Sequence, residues 1–311
     1  MVINFNYRVG PWGFLAGKEV QEGGSLNNGL KDQIKALQWV QKYIAQFGGD
    51  PNHVVVGGDS AGAGSITLLL TAYGGRNDNL FVGTAAESQS FATLYTSTQS
   101  QWEYDNLDMR TACVSDDTLA CLRNLSAKEI QTQNYNTPFP GSVNPPLYMY
   151  GPTIDGDLIV DYTYNLFAAG KFIHVPTIFG DDTNGGTIFV PKNTTNISQS
   201  DIFLHNQFPA LTLADLLWIN DNYPETNVTY PNSGAYWRQC SNIYGEMRYM
   251  CPGLFCSSAL TDRTAQPSWN YRYNVEDPTQ VAEGLGVPHT VEVNAIWYVY
   301  LRCGRSRGVE S

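Results

Sequence analysis

The chain has 311 residues, of which 42% are hydrophobic, 13% aromatic and 15% charged, with a formal net charge of −11. This apolar content can fill one sizeable core and excludes a disordered chain, and the acidic balance excludes nucleic acid and anionic membrane surfaces as partners. No apolar run of 18 residues is present, which excludes a transmembrane helix.

In chain order, Val2 to Tyr7 alternates apolar and polar residues, which predicts a strand and not the basic head and apolar stretch of a signal peptide. Residues 10–27 hold Gly10, Pro11, Gly13, Gly17, Gly23 and Gly24, which predicts a loop. Ile34, Leu37, Val40 and Ile44 recur at helical spacing, so Asn28 to Phe47 is a helix stopped by Gly48-Gly49. After the turn Asp50-Pro51-Asn52, Val54-Val55-Val56 reads as a buried parallel strand. A glycine-rich turn and a second helix, Gly64 to Tyr73, follow. Phe81 to Ala86 is the next strand, and residues 97–150 are helical in part, ending in the Pro-rich stretch Pro138 to Pro146. Val175 to Gly180 is a strand, residues 198–223 are helical, and Ser268 to Val275 alternates as a strand. Strands alternating with helices define an α/β fold, with a mostly parallel central sheet flanked by helices and no internal repeat.

The turn after Val56 is Gly58-Asp59-Ser60-Ala61-Gly62, a G-x-S-x-G sequence set between a strand and a helix. A serine in such a turn projects its hydroxyl above the strand ends. Glycines at 58 and 62 are expected because a side chain at either position would collide. The N–H of Ala61, at the start of the helix, is the expected oxyanion donor. Four histidines are available as the base: His53, His174, His205 and His289. His53 precedes the nucleophile strand, His174 lies at the N-terminal end of a strand, and His205 falls in a helical surface segment. His289 follows the last clear strand, where the chain order Ser…acid…His puts the base. Glu292 is read as a supporting polar residue. No His/Cys/Asp cluster has metal-ligand spacing, and no cofactor is implied.

The segment Phe47-Gly48-Gly49-Asp50-Pro51-Asn52-His53-Val54-Val55-Val56-Gly57-Gly58-Asp59-Ser60-Ala61-Gly62 resembles the signature of the type-B carboxylesterase/lipase family, most like its fungal secreted members. Asn4 to Gly10, Asn28 to Gln33, Gly151 to Gly156 and the segment around His289 extend the resemblance over residues 2–297. It implies an α/β-hydrolase fold and a carboxylic ester hydrolase acting on small-molecule or lipid esters through an acyl-Ser60 intermediate, with His289 as base. Where the family usually has Glu before the serine, this chain has Asp59.

Three departures bear on activity. The family's triad acid falls at Gly185, within Gly180-Asp181-Asp182-Thr183-Asn184-Gly185-Gly186. Asp182, on the same turn as Asp181, is the candidate substitute, and Glu87 is a remote one. No glycine-rich oxyanion loop precedes Val2, and the basic stretch at 298–311 is unlike the family's helical C-terminal segment. The expectation is therefore a single partial domain over 1–311, lacking the family's N-terminal strands and C-terminal helical segment, with an atypical tail at 298–311. Its ester hydrolysis would be weak or lost. The alternative is an impaired hydrolase-fold binding protein or a truncated gene product.

Six cysteines and four N-x-[ST] sequons, at Asn124, Asn193, Asn196 and Asn227, point to the secretory route. Cys113 and Cys121 are close enough to staple a short loop, whereas the pairing of Cys240, Cys251, Cys256 and Cys303 is not legible. Trp102, Tyr148, Phe189 and Trp218 are aromatics that either line a pocket or fill the core.

Overall fold

The computed structural model describes residues 1–91, 93–114, 116–225 and 228–297. Asn227, Cys303 and the segment 298–311 lie outside the described residues. Residues 1–9 carry no regular structure, contrary to the predicted strand at 2–7, and Val2, Ile3 and Phe5 are exposed. An alternating sequence becomes a strand only where a neighbour takes up its backbone groups, and no described strand pairs with it. The predicted loop at 10–27 instead holds two short helices, α1 (Gly10–Phe14) and α2 (Lys18–Gly23). Pro11 occupies the first turn of α1, where its missing N–H is not needed.

Helix α3 (Asn28–Tyr43) buries Leu30, Gln33, Leu37 and Val40, one face at helical spacing. It tightens into a 3₁₀ turn over Ile44–Phe47 and ends at Gly48, whose φ of 80° is left-handed. Strand β1 (Val55–Asp59) leads into α4 (Ala61–Thr71), in which every residue from Ala63 to Thr71 is buried. Strand β2 (Gly83–Glu87) follows, then the short β3 (Tyr95–Thr96) and α5 (Ser97–Thr111), whose N-terminus is closed by a reciprocal Thr96–Gln99 capping box. Helices α6 (Thr118–Asn124) and α7 (Ala127–Gln133), strand β4 (Thr153–Ile154) and helix α8 (Thr163–Ala168) lead to β5 (Thr177–Asp182). The predicted helical stretch 198–223 is two helices, α9 (Ile197–Gln207) and α10 (Leu213–Asn222), the second with its own capping box from Thr212 and Asp215. Helix α11 (Trp237–Gly245) passes through a π-helical turn, Glu246–Met250, into α12 (Cys251–Arg263). Strand β6 (Ser268–Tyr273) and two five-residue helices, α13 (Pro278–Ala282) and α14 (Val293–Trp297), complete the described chain.

The main sheet is parallel throughout, in the order β1-β2-β5-β6. Its register sets Asp59 opposite Glu87 and Asp182 opposite Tyr273, so the strands' C-terminal ends share one edge. That is the edge where a parallel sheet collects its chemistry. β1 is not the fully buried strand that its valines suggest. With one described neighbour it stands at the sheet margin, and Val55 is 54% exposed. Beneath the sheet, Leu70, Phe167, Phe179, Cys256 and Leu260 are fully enclosed in one core. A second cluster around Leu204, Trp237, Ile243 and Tyr244 carries Tyr249 toward the strand ends.

Candidate active site

Ser60 joins β1 to α4 with φ 54° and ψ −114°, a conformation that costs a non-glycine residue strain and lifts its side chain out of the strand. Its N–H donates to the Glu87 carbonyl at 3.1 Å, which ties the turn to β2. Gly58 is required here, since a Cβ would stand 2.6 Å from the Gly62 backbone. Gly62 is not required in the same way. A Cβ there meets nothing within 4 Å and would stand in open space. Ala61 begins α4, so its N–H has no partner within the helix and is free to face a ligand.

The structure brings His289 to Ser60, 2.6 Å from Nε2 to Oγ, across 229 positions of sequence. The loop that carries it is fixed to the end of β5. Asn184 donates from its backbone to the Val287 carbonyl at 2.8 Å, and the Val287 N–H donates to Asn184 Oδ1 at 3.0 Å. The imidazole is 5% exposed and lies against Tyr249, with ring centroids 4.2 Å apart, and against Phe189 at 5.2 Å. His53, His174 and His205 stay with their own segments, and His174 packs on Phe172.

His289 Nδ1 is buried and has no hydrogen-bond partner. Asp182, the candidate substitute acid, does not reach it. Its Oδ2 accepts instead from the Thr290 N–H at 2.8 Å and lies 2.9 Å from Ser88 Oγ, because β5 ends with this side chain directed at the backbone after the histidine. The Ser88 hydroxyl also lies 2.7 Å from Oε1 of Glu292, which is completely buried. One hydroxyl proton cannot serve two carboxylates, and burial together with Glu292 drives the Asp182 carboxyl well above the usual carboxylate range. Asp182 is thus favoured in its protonated form beside Glu292. Asp181 does not reach the histidine either, and its Oδ1 has no partner. Burial, and then Glu292, pushes its carboxyl up to about 8. Glu87 is committed to Trp297 Nε1 at 3.3 Å. Asp59 is pushed up to about 7, first by burial and then by Glu292 and Glu87. His289 itself is pushed down to about 3, by burial and then by the nearby Arg248.

Gly185 occupies a position with room. A Cβ there comes no nearer than 3.6 Å to the Asp182 carbonyl and the Tyr249 ring, and its φ is not left-handed. It immediately follows the Asn184–Pro288 bridge, in step with His289 after Pro288.

A cavity of about 350 Å³ opens beside Ser60 and Ala61, with Phe14, Leu30, Leu147 and Tyr148 among its walls. Of the four aromatics named from sequence, only Tyr148 lines it. Phe189 backs His289, Trp102 packs on Phe139 and Trp218 is exposed. Sequence reasoning did not single out Ser88, Arg248 or Tyr249. Ser88 did leave a trace, as a hydroxyl beside Glu87 at the end of a predicted strand.

Cys113 and Cys121 form the expected disulfide, whereas Cys240, Cys251 and Cys256 are not bonded to one another. Asn124, Asn193 and Asn196 are exposed, and the last also caps α9. Among the described residues no His/Cys/Asp/Glu group could hold a metal, and no helix is long and apolar enough to cross a membrane.

Comparison with known proteins matches residues 1–306 to the model of the carboxylesterase family. "Secreted lipase 4" of Gibberella zeae is 31% identical over 96% of this chain and 55% of its own length. "Secreted lipase 1" of Botryotinia fuckeliana is 33% identical over 92% of this chain and 53% of its own. The crystal structure of Aspergillus niger EstA superposes with a TM-score of 0.91 at 42% identity, covering 94% of this chain and 57% of that one. The expected α/β-hydrolase fold is therefore the observed one. The chain spans about half the length of the curated relatives it matches.

Proposed function

The chain belongs to the carboxylesterase family, and on that premise we propose that it hydrolyses carboxylic esters through an acyl-Ser60 intermediate. The observation that carries this reading is the 2.6 Å contact between Ser60 Oγ and His289 Nε2, with Ser60 lining the cavity. In the first step Ser60 Oγ attacks the ester carbonyl while its proton passes to Nε2. The oxyanion takes the Ala61 N–H, the alcohol leaves with the proton from His289, and water then cleaves the acyl-enzyme by the same route.

One feature makes this activity weak. His289 Nδ1 has no acceptor to hold the ring and stabilise its cation, a loss on the order of 10⁴ in kcat in serine hydrolases. The orphaned Nδ1 also favours a second reading, an ester-binding protein with little turnover. Secreted relatives, the Cys113–Cys121 bridge and the exposed sequons support placing the chain on the secretory route, acting on small-molecule or lipid esters.

The test is hydrolysis of 4-nitrophenyl butyrate by the purified chain beside Ser60→Ala. Turnover that vanishes in the variant is expected. Equal rates in the two proteins refute the mechanism.

A further inference from the structure

The cavity beside Ser60 is walled by apolar and neutral polar side chains with one exception. Among the described residues Arg248 is the only ionised side chain that lines it, and no aspartate or glutamate reaches its wall. The guanidinium is poorly satisfied. Its Nη1 donates to Thr93 Oγ1 over a long 3.3 Å, and its Nε is buried without a partner. Among the described residues the ion pairs are Arg8–Asp32, Lys18–Glu22 and Arg76–Asp78, so Arg248 has no carboxylate of its own. A cation held this way beside apolar surface is costly unless something else completes it.

Its backbone is well fixed. Arg248 sits in the π-helical turn Glu246–Met250, and its carbonyl accepts from the Phe91 N–H at 3.1 Å. Such turns are often kept where a side chain must be aimed at a site. Tyr249, the next residue, stacks on His289, and the charge of Arg248 is felt by that imidazole. Arg248 and Ser60, which carries the contact to His289, therefore line one chamber. The acidic residues at the strand ends do not compete for the guanidinium, because they are taken up by Ser88, Thr290 and Trp297 or pushed toward their neutral forms by burial.

We infer that the cavity selects esters that carry a second, ionised carboxylate, which pairs with Arg248 while the ester carbonyl lies at Ser60. This rests on the ester-hydrolase reading and narrows it from esters in general to hemiesters of dicarboxylic acids and acyl esters of hydroxy acids. Arg248 is here a specificity-determining residue. It takes no part in bond making.

Two pairs of nearly isosteric esters test it. On the acyl side, 4-nitrophenyl hydrogen glutarate is compared with 4-nitrophenyl pentanoate. On the alcohol side, 4-acetoxybutanoate is compared with butyl acetate, followed by acid release. The parent should prefer the anionic member of at least one pair in kcat/KM by about tenfold or more, as one charge-assisted contact allows. Arg248→Gln should bring that ratio near one, and Arg248→Lys should keep part of it. A neutral preference in both pairs overturns the inference. So does an Arg248→Gln loss that is equal for both members, which would assign the cation to the reacting centre.

A catalytic failure is kept separate by titrating monoethyl glutarate and ethyl pentanoate into Ser60→Ala and Ser60→Ala/Arg248→Gln. If no ester turns over, the hydrolase reading falls. Tighter binding of the hemiester that is lost with Arg248 still upholds the anion site, and equal binding of the two ligands removes it.

Discussion

Replacing Gly185 with Glu should convert a weak catalyst into a strong one. The position accepts the change sterically, with the new Cβ at ordinary contact distance from the Asp182 carbonyl and the Tyr249 ring. Tyr249 also stacks on His289, and residue 185 stands in step with residue 289 beyond the Asn184–Pro288 bridge, so a carboxylate from 185 is directed at the orphaned Nδ1. The size of the gain follows from the present histidine. Its value of about 3, against 6.5 for the free side chain, means its cation is destabilised by about 5 kcal/mol. A partner carboxylate that cancelled this burden would return at most about 10⁴ in kcat, the same scale as loss of the acid in serine hydrolases. The assay is 4-nitrophenyl butyrate hydrolysis across pH, with circular dichroism to confirm folding. In the parent, neutral His289 persists to about pH 3, so its weak activity should show no loss of base near pH 6. In Gly185→Glu the histidine titrates higher, and activity should fall on the acid side as imidazole becomes imidazolium. Gly185→Gln, which offers an acceptor without charge, should gain much less. A folded Gly185→Glu protein within threefold of the parent, with an unchanged pH profile, would refute the reasoning.

Two further outcomes follow from the same geometry. Gly58→Ala forces a methyl group onto the Gly62 backbone and should destabilise the fold by about 1–3 kcal/mol, whereas Gly62→Ala should be tolerated; thermal melts of the two variants side by side check this, and equal losses would contradict it. Asp181 is raised in the folded state to about 8, so the folded protein binds its proton more tightly than the unfolded chain does. Its contribution to stability is full below about pH 4 and is lost as pH rises toward 8, up to about 1.4 kcal/mol per unit. Asp181→Asn should flatten that decline, so denaturant midpoints of parent and variant should diverge between pH 5 and pH 8, and parallel curves would sink the claim.

Much of the site was legible before the structure because its chemistry sits in short, local patterns. The G-x-S-x-G turn needs a strand before it and a helix after it, and both are visible in Val54–Val56 and in the apolar run of α4. His289 was accessible because it follows the last clear strand in a segment that resembles the family's, whereas the other three histidines fall in a turn, at the N-terminal end of a strand and in a helical surface segment. What sequence could not give is pairing. The alternation at 2–7 is real, yet a strand is defined by a partner, and no described strand supplies one. The valines of β1 likewise do not say how many neighbours the strand will have, so an apolar run became a half-exposed margin. Asp182 illustrates the deeper limit. Its place beside the acid position suggested a substitute, but a β-strand fixes side-chain direction by register, and the register aims Asp182 at the Thr290 N–H. The same constraint sharpens the case of Gly185. With Asp181, Asp182, Glu87 and Glu292 all committed elsewhere or out of reach of the imidazole, no carboxyl among the described residues completes His289. What the Ser60–His289 pair lacks therefore reduces to one side chain at one position with room to receive it.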